Sequence, residues 1–401
     1  MRRRALALVC LFPIAACSEP VAPASPGAFA AVAGGFEHTC ALLGGGLAYC
    51  WGRNTSFQLG TNRTNEHDSL PQQVSAPFPF TKIDAGQYHS CGLVASGAAY
   101  CWGIGPDGAL GSDTATLTTR PIPVDGGLTF KAITLGQRHT CALTNAGVAY
   151  CWGDNILGQV GRDTTAAAIS TPVPVAGNQT FSAIAAGDYH TCGIATDGLA
   201  YCWGDNIFGA LGAADTIRTS KLPVAVAGNH HFRAIDGGNV HTCAVATNGE
   251  AWCWGAGGAG QLGNGARTDQ FGPVRVTGSR LFGWISVGTN HSCALDIDAV
   301  NLYCWGSNGA GQLAGATDET CVYGPGPNDN FPCRSTPVRA AAGHYFEAVS
   351  AGGFHTCAIA FGGAAYCWGG NVQGQLGNGE PGVNAAAPVR VPDPHPVTPQ
   401  P

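Results

Sequence analysis

Apolar and polar positions alternate along this chain in short stretches separated by glycine. The first stretch runs from Phe29 to Gly35, the second from His38 to Leu42 and the third from Ala48 to Gly52. A longer, more polar segment follows, and each unit closes on Pro-x-x-Val or Pro-x-x-Ala, as at Pro172 to Val175. Alternation with period two over a few residues, bounded by turn signals, predicts four short β-strands per unit. The second and third strands place His38, Cys40, Leu42, Ala48 and Cys50 on one face, and Thr39, Ala41, Tyr49 and Trp51 on the other. Neither face is polar, so the sheet must be covered on both sides. The prolines are expected to start the fourth strand, where a missing N–H is tolerated as on an edge.

The unit occurs seven times. His-Thr/Ser-Cys ends at Cys40, Cys91, Cys141, Cys192, Cys243, Cys293 and Cys357, with spacings of 51, 50, 51, 51, 50 and 64 residues. A second cysteine, followed by Trp-Gly in every copy, stands at Cys50, Cys101, Cys151, Cys202, Cys253, Cys304 and Cys367. Phe lies eleven positions before each first cysteine, from Phe29 to Phe346, and Gly five positions before it, from Gly35 to Gly352. A variant of Gly-Gln-Leu-Gly follows each Trp-Gly, as at Gly260 to Gly263. Seven sheets apolar on both faces cover one another when arranged radially. The expected fold is therefore all-β, a seven-bladed β-propeller with four short antiparallel strands per blade. The expected divisions are a signal peptide at 1–16, a Pro/Ala tether at 17–28, the propeller at 29–392 and a Pro-rich tail at 393–401.

The recurring set G-x-x-H-T/S-x-A-L, then G-x-x-Y-x-W-G-x-N-x-x-G-Q-L-G, resembles the repeat of the regulator of chromosome condensation family. The resemblance covers residues 29–392 and implies the same seven-bladed propeller. It also implies the activity that named the family, nucleotide exchange on a small GTPase together with chromatin binding. A secreted β-lactamase inhibitory protein shares this propeller class, which raises enzyme inhibition as a further alternative. Typical family members do not carry the paired cysteines, so those belong to this chain's own situation.

Composition narrows the compartment. Arg2, Arg3 and Arg4 precede a short apolar run, and Ile14-Ala15-Ala16-Cys17 resembles the lipobox of bacterial lipoproteins. The expectation is cleavage before Cys17 and lipidation there, with the chain held at the cell envelope, on the outer membrane or cell surface, or otherwise secreted. The only expected membrane contact is that lipid. Loss of residues 1–16 leaves 16 basic against 25 acidic residues, a net charge of −9. A nucleic-acid partner, which needs a basic surface, is therefore not expected.

Of 18 cysteines, Cys10 leaves with the signal and Cys17 is the proposed lipid site, so sixteen remain. An even remainder in an exported chain predicts disulfides. Cys40–Cys50, Cys91–Cys101, Cys141–Cys151, Cys192–Cys202, Cys243–Cys253 and Cys357–Cys367 are ten apart, which places each pair directly opposite across a hairpin. Cys293–Cys304 is eleven apart, and Cys321–Cys333 takes the remainder. The C-x9-C spacing is not a zinc pattern. The seven histidines are read as structural, bonding beside the preceding glycine turn, and no metal or cofactor is expected.

Repeated residues read as framework, so function is sought where the copies differ. The dipeptide before each His varies and supplies Phe36, Glu37, Tyr88, Arg138, Asp188, Tyr189, Asn290 and Phe354 as a candidate binding surface. The insertion at 314–336 adds Tyr323 and Phe331, displayed on a lobe pinned by Cys321–Cys333. No G-x-S-x-G elbow, H-E-x-x-H helix or P-loop is present. Asp154, Asp188 and Asp205 lack a consistent acid/base partner, and whether paired carboxylates meet at the axis is not legible from sequence. The expectation is a monomeric, non-enzymatic scaffold without catalytic residues, which presents its loops to a protein or a cell-wall glycan.

Overall fold

The inner strand of the first unit, Phe29–Gly34, pairs antiparallel with His38–Leu43, which pairs in turn with Ala48–Arg53 and then with the outer strand His67–Gln73. In this computed structural model, residues 27–213, 217–298, 301–322 and 330–394 are described. Among them the same antiparallel order recurs in seven sheets, one per repeat, and builds a seven-bladed β-propeller. The central hairpin has the register expected from the alternation: Cys40 faces Cys50, Thr39 faces Trp51 and Ala41 faces Tyr49. All eight disulfides are formed between the pairs expected from sequence.

Packing between blades follows from the two apolar faces. The face carrying Cys40, Leu42, Ala48 and Cys50 packs on Phe80 and Trp102 of the second blade. The face carrying Ala41, Tyr49 and Trp51 packs on Cys357, Ile359 and Cys367 of the seventh. The disulfide face of each blade thus lies on the tryptophan face of the next. All seven tryptophans that follow the second cysteine are fully buried. Each contributes roughly 5 kcal/mol of gross transfer free energy, before the entropy of ordering is set against it. Glycine shapes the same seam. Gly60 has φ +65°, and a Cβ there would lie 2.6 Å from the Trp102 indole.

No strand is exchanged to close the ring. The outer strand of the seventh blade, Ala385–Arg390, belongs to the seventh repeat, and blade seven lays its disulfide face on Trp51 of blade one as the other pairs do. Phe29 N donates to Gly363 O at 2.9 Å, and Gly353 N donates to Gly35 O at 3.0 Å.

One expectation is corrected. The prolines do not start the fourth strand. Pro71, Pro121 and Pro172 lie inside it, as the last residue of a three-residue bulge between the partners of the second cysteine and of the following glycine. A bulge leaves its residues off the ladder, so a missing N–H costs nothing there. The insertion in blade six extends the sheet of that blade. Its segment Glu319–Val322 pairs with Asn330–Arg339 and adds a fifth strand outside the fourth, with Cys321 bonded to Cys333. Tyr323 lies outside the described residues.

Candidate functional site

Each inner strand ends in a glycine whose N–H donates to the carbonyl of the repeat histidine, as Gly35 N to His38 O at 2.9 Å. This closes a two-residue turn with the variable dipeptide at its tip. Glycine is required because a Cβ at Gly35 would lie 2.4 Å from the His38 ring and 2.6 Å from Gly86 O of the next blade. The carbonyl of the second tip residue is also occupied: Glu37 O accepts from Arg53 N, Tyr88 O from Ile104 N and Tyr189 O from Asp205 N. Only the side chains of the dipeptide are left to vary.

The histidine behind the turn is framework, but its partner is not the turn. His38 Nε2 bonds Ser90 Oγ of the next blade at 2.8 Å, His139 bonds Thr191 at 2.9 Å, and His355 closes the circle on Thr39 at 2.8 Å. Four equivalent bonds, from His89, His190, His241 and His291, complete a ring of seven. Each hydroxyl donates its proton onward to a carbonyl of the Gly-Gln-Leu-Gly loop, as Thr191 Oγ1 to Gln159 O at 3.0 Å. Trp203 Nε1 donates to the same carbonyl at 2.9 Å. A hydroxyl has one proton, so the histidine must be the donor and carries its proton on Nε2. One network therefore accounts for three repeated motifs at once. Burial holds every one of these imidazoles neutral and lowers its pKa from 6.5 to about 3 or 4.

The sequence-predicted tip residues gather at one end of the axis. Phe36 and Asp188 line a cavity of about 70 Å³ there, beside Gln87, Asn239 and Thr289. Phe36 packs edge-on against Phe354 with ring centroids 5.3 Å apart. Glu37 pairs with Arg53 at 2.7 Å, and Arg138 lies 5.6 Å over the Tyr88 ring and pairs with Asp107 at 3.2 Å. Tyr189 Oη accepts from Gln137 Nε2 at 2.9 Å. Asp188 accepts from Asn239 Nδ2 at 2.8 Å, and burial raises its pKa to about 6 against that bond. Asn290 takes its place in the turn of blade six, with its carbonyl accepting from Ser307 N at 2.8 Å. Phe331 does not join this surface, because the fifth strand holds it at the circumference of blade six.

Sequence reasoning missed two sets of residues. The loops after Trp-Gly reach the same end of the axis and expose Ile156 (69%), Ile207 (49%), Phe208 (41%) and Val372 (65%). The signal was available, since Ile156, Ile207 and Val372 replace Thr55 or Gly258 of other copies at the same loop position, and Phe208 replaces Ser56 or Ala259 at the next. The second set lies on the axis. Asp84 Oδ1 accepts from Ala85 N and its Oδ2 from Leu135 N of the next blade, both at 2.9 Å. Asp236 does the same for Gly237 N at 3.0 Å and Val287 N at 2.8 Å. In other blades Ser286, Ser350 or Thr134 supplies one such bond to the next blade. Ala33 and Ala185 supply none, and in both cases the following blade carries the aspartate that covers the gap. Burial raises Asp84 to about 7 and Asp236 to about 6.

Comparisons with known proteins agree with this architecture. The family described as RCC1-like domain matches residues 13–347, and the regulator of chromosome condensation (RCC1) repeat matches residues 346–375 and 362–398. The ultraviolet-B receptor UVR8 of Arabidopsis thaliana is 31% identical over 383 residues, which cover 94% of this chain and 72% of the receptor. The E3 ubiquitin-protein ligase HERC2 of Mus musculus is 28% identical over 355 residues, 86% of this chain but 6% of the ligase. Among solved structures, human WBSCR16 superposes with a TM-score of 0.74 at 18% identity, covering 86% of this chain and 94% of that one. Prp20p of Saccharomyces cerevisiae, described with its binding properties to Gsp1p and histones, gives 0.74 at 21% identity, covering 92% and 88%.

Proposed function

The chain belongs to the RCC1-like domain family, and on that premise we propose that it is a non-enzymatic binding module of the cell envelope, which engages a protein partner through the turn end of its axis. The observation that carries this reading is a division of labour. The repeated histidines, hydroxyls and tryptophans are consumed by bonds that hold blade to blade, and the cysteines and turn glycines by bonds within each blade. What varies at the turn end includes five exposed apolar side chains, Ile156, Ile207, Phe208, Val372 and Phe354, together with the half-buried Tyr88 and Tyr189. Ile156, Ile207 and Phe208 stand on the adjacent blades three and four, and exposed apolar residues grouped in this way mark a docking site.

The compartment follows from the cysteines. Eight disulfides suit an oxidising, extracytoplasmic location. They weigh against the exchange-factor alternative, whose small-GTPase partner is intracellular. The proposed lipid on Cys17 fits the geometry of the ring. The first strand starts at Phe29, at the end of the axis opposite the turns, so an anchor on that side leaves the turn end facing outward. No group in the described residues is assigned a catalytic role.

Crosslinking in intact cells tests the reading. A partner captured by the wild-type chain is expected to be lost when Ile207 and Phe208 are changed together to Asp, with the protein still exported and oxidised. Recovery of the same partner by that variant would refute the assignment of the turn end.

A further inference from the structure

The opposite end of the axis holds a larger hollow. It is about 380 Å³ and is lined by the inner strands of the blades. That volume lies within the range of about 300–1,000 Å³ typical of small-molecule sites. Its composition departs from the repeat. The third residue of the inner strand is alanine in five blades: Ala31, Ala132, Ala183, Ala234 and Ala348. The two exceptions are Lys82 and Trp284, and both line the hollow. They belong to blades two and six, three blades apart round a ring of seven, so they stand on nearly opposite sides of the mouth.

Trp284 is 54% exposed, whereas the seven tryptophans of the Cys-Trp-Gly motifs are fully buried. Nothing in the framework needs an indole there, because alanine serves in five blades. Lys82 forms no ion pair among the described residues. A second cation, Arg233, lines the same hollow and donates from Nη2 to Phe282 O, at the start of the strand that carries Trp284. Deeper in, each blade contributes a branched aliphatic residue, from Val32 to Val349, and five blades add an oxygen-bearing one: Asp84, Thr134, Asp236, Ser286 and Ser350. The site therefore combines one aromatic face, two cations at the rim and an aliphatic wall interrupted by hydroxyls and carboxylates.

We propose that this hollow binds an acidic sugar, a hexuronic acid or the uronate end of a short anionic glycan, with the pyranose ring on Trp284 and its carboxylate on Lys82 and Arg233. The C–H face of a pyranose carries partial positive charge and lies against the negative face of an indole. A carboxylate forms charge-assisted bonds with ammonium and guanidinium groups. The sugar hydroxyls find acceptors and donors in the hydroxyls and carboxylates of that wall. A purely aromatic acid would leave those groups unmatched, and an uncharged sugar would leave the two cations unpaired. This site goes beyond the partner assigned to the turn end and stands whether or not that partner is found.

The test uses the exported, oxidised protein and the variants Trp284→Ala and Lys82→Ala, each of which restores the residue found in the other five blades and so keeps the fold. Digalacturonate is titrated by calorimetry, with the change in total tryptophan fluorescence followed in wild type and in Trp284→Ala, and with cellobiose and benzoate as uncharged and aromatic controls. Saturable binding of digalacturonate is expected, weakened about tenfold or more by either variant, a loss of about 1.4 kcal/mol or more. The proposal is overturned by no saturation up to about 10 mM, by wild-type affinity in either variant, or by cellobiose or benzoate binding as well as digalacturonate.

Discussion

Replacing Thr191 by valine keeps the outline of the side chain and removes its hydroxyl. In the native chain that hydroxyl accepts from His139 Nε2 and donates to Gln159 O. Thr191→Val leaves the buried His139 N–H without an acceptor, while Gln159 O keeps its bond from Trp203. An orphaned buried donor costs about 1–3 kcal/mol. Urea unfolding of the variant is expected to show that loss, and a stability equal to wild type would contradict the ring of histidine bonds. The motif His-Thr/Ser-Cys was visible in the sequence, and its structural role was inferred correctly. Its partner was not legible, because the bond joins residues about 50 positions apart in neighbouring blades. Asp84 and Asp236 were missed for the same reason: each compensates for an alanine one blade earlier, a relation no single repeat displays.

At the scale of strands and blades, the register was legible. A separation of ten positions between paired cysteines, centred on a turn, allows one pairing across a hairpin, and Cys40 does face Cys50. The proline was misplaced because sequence does not reveal the bulge that carries it. The fifth strand of blade six was hidden because two cysteines in a long insertion show a tie but not a strand pairing. Each blade is completed by its own repeat, and the seam between blades seven and one carries the same histidine–hydroxyl bond as the other six. Gly27 and Ala28 share a hollow with Asp393 and Pro394, so the two described ends of the chain are close. A circular permutant opened within residues 176–179, with a short linker joining those ends, is therefore expected to fold with all eight disulfides and a near-native far-UV spectrum. Failure to oxidise correctly would show that the natural seam is special.

The whole ring titrates as a unit. Seven histidines have folded pKa values of about 3 or 4, below the ordinary 6.5. As pH falls below 6.5 the unfolded chain binds protons that the folded chain refuses, so stability falls. Three aspartates act in the opposite sense. Asp84, Asp188 and Asp236 have folded values raised to about 6 or 7, and they favour the folded state more as pH falls from there toward 4. Seven outweigh three, which leaves roughly four protons of net uptake on unfolding near pH 5 and a slope on the order of 5 kcal/mol per pH unit as an upper bound. Urea midpoints are expected to drop steeply between pH 6.5 and 4.5, and a midpoint that is flat or rises would contradict the burial of the ring. The central claim is that repeated residues build the propeller and differing residues do its work. It is tested most directly by a chain in which Tyr88, Arg138, Tyr189, Ile207 and Phe208 are all changed to alanine, with partner capture measured on protein shown to be folded by its melting temperature. The account predicts wild-type melting within a few degrees, since none of these side chains joins the interblade ring, together with loss of the captured partner. Full partner recovery by that folded chain would contradict it.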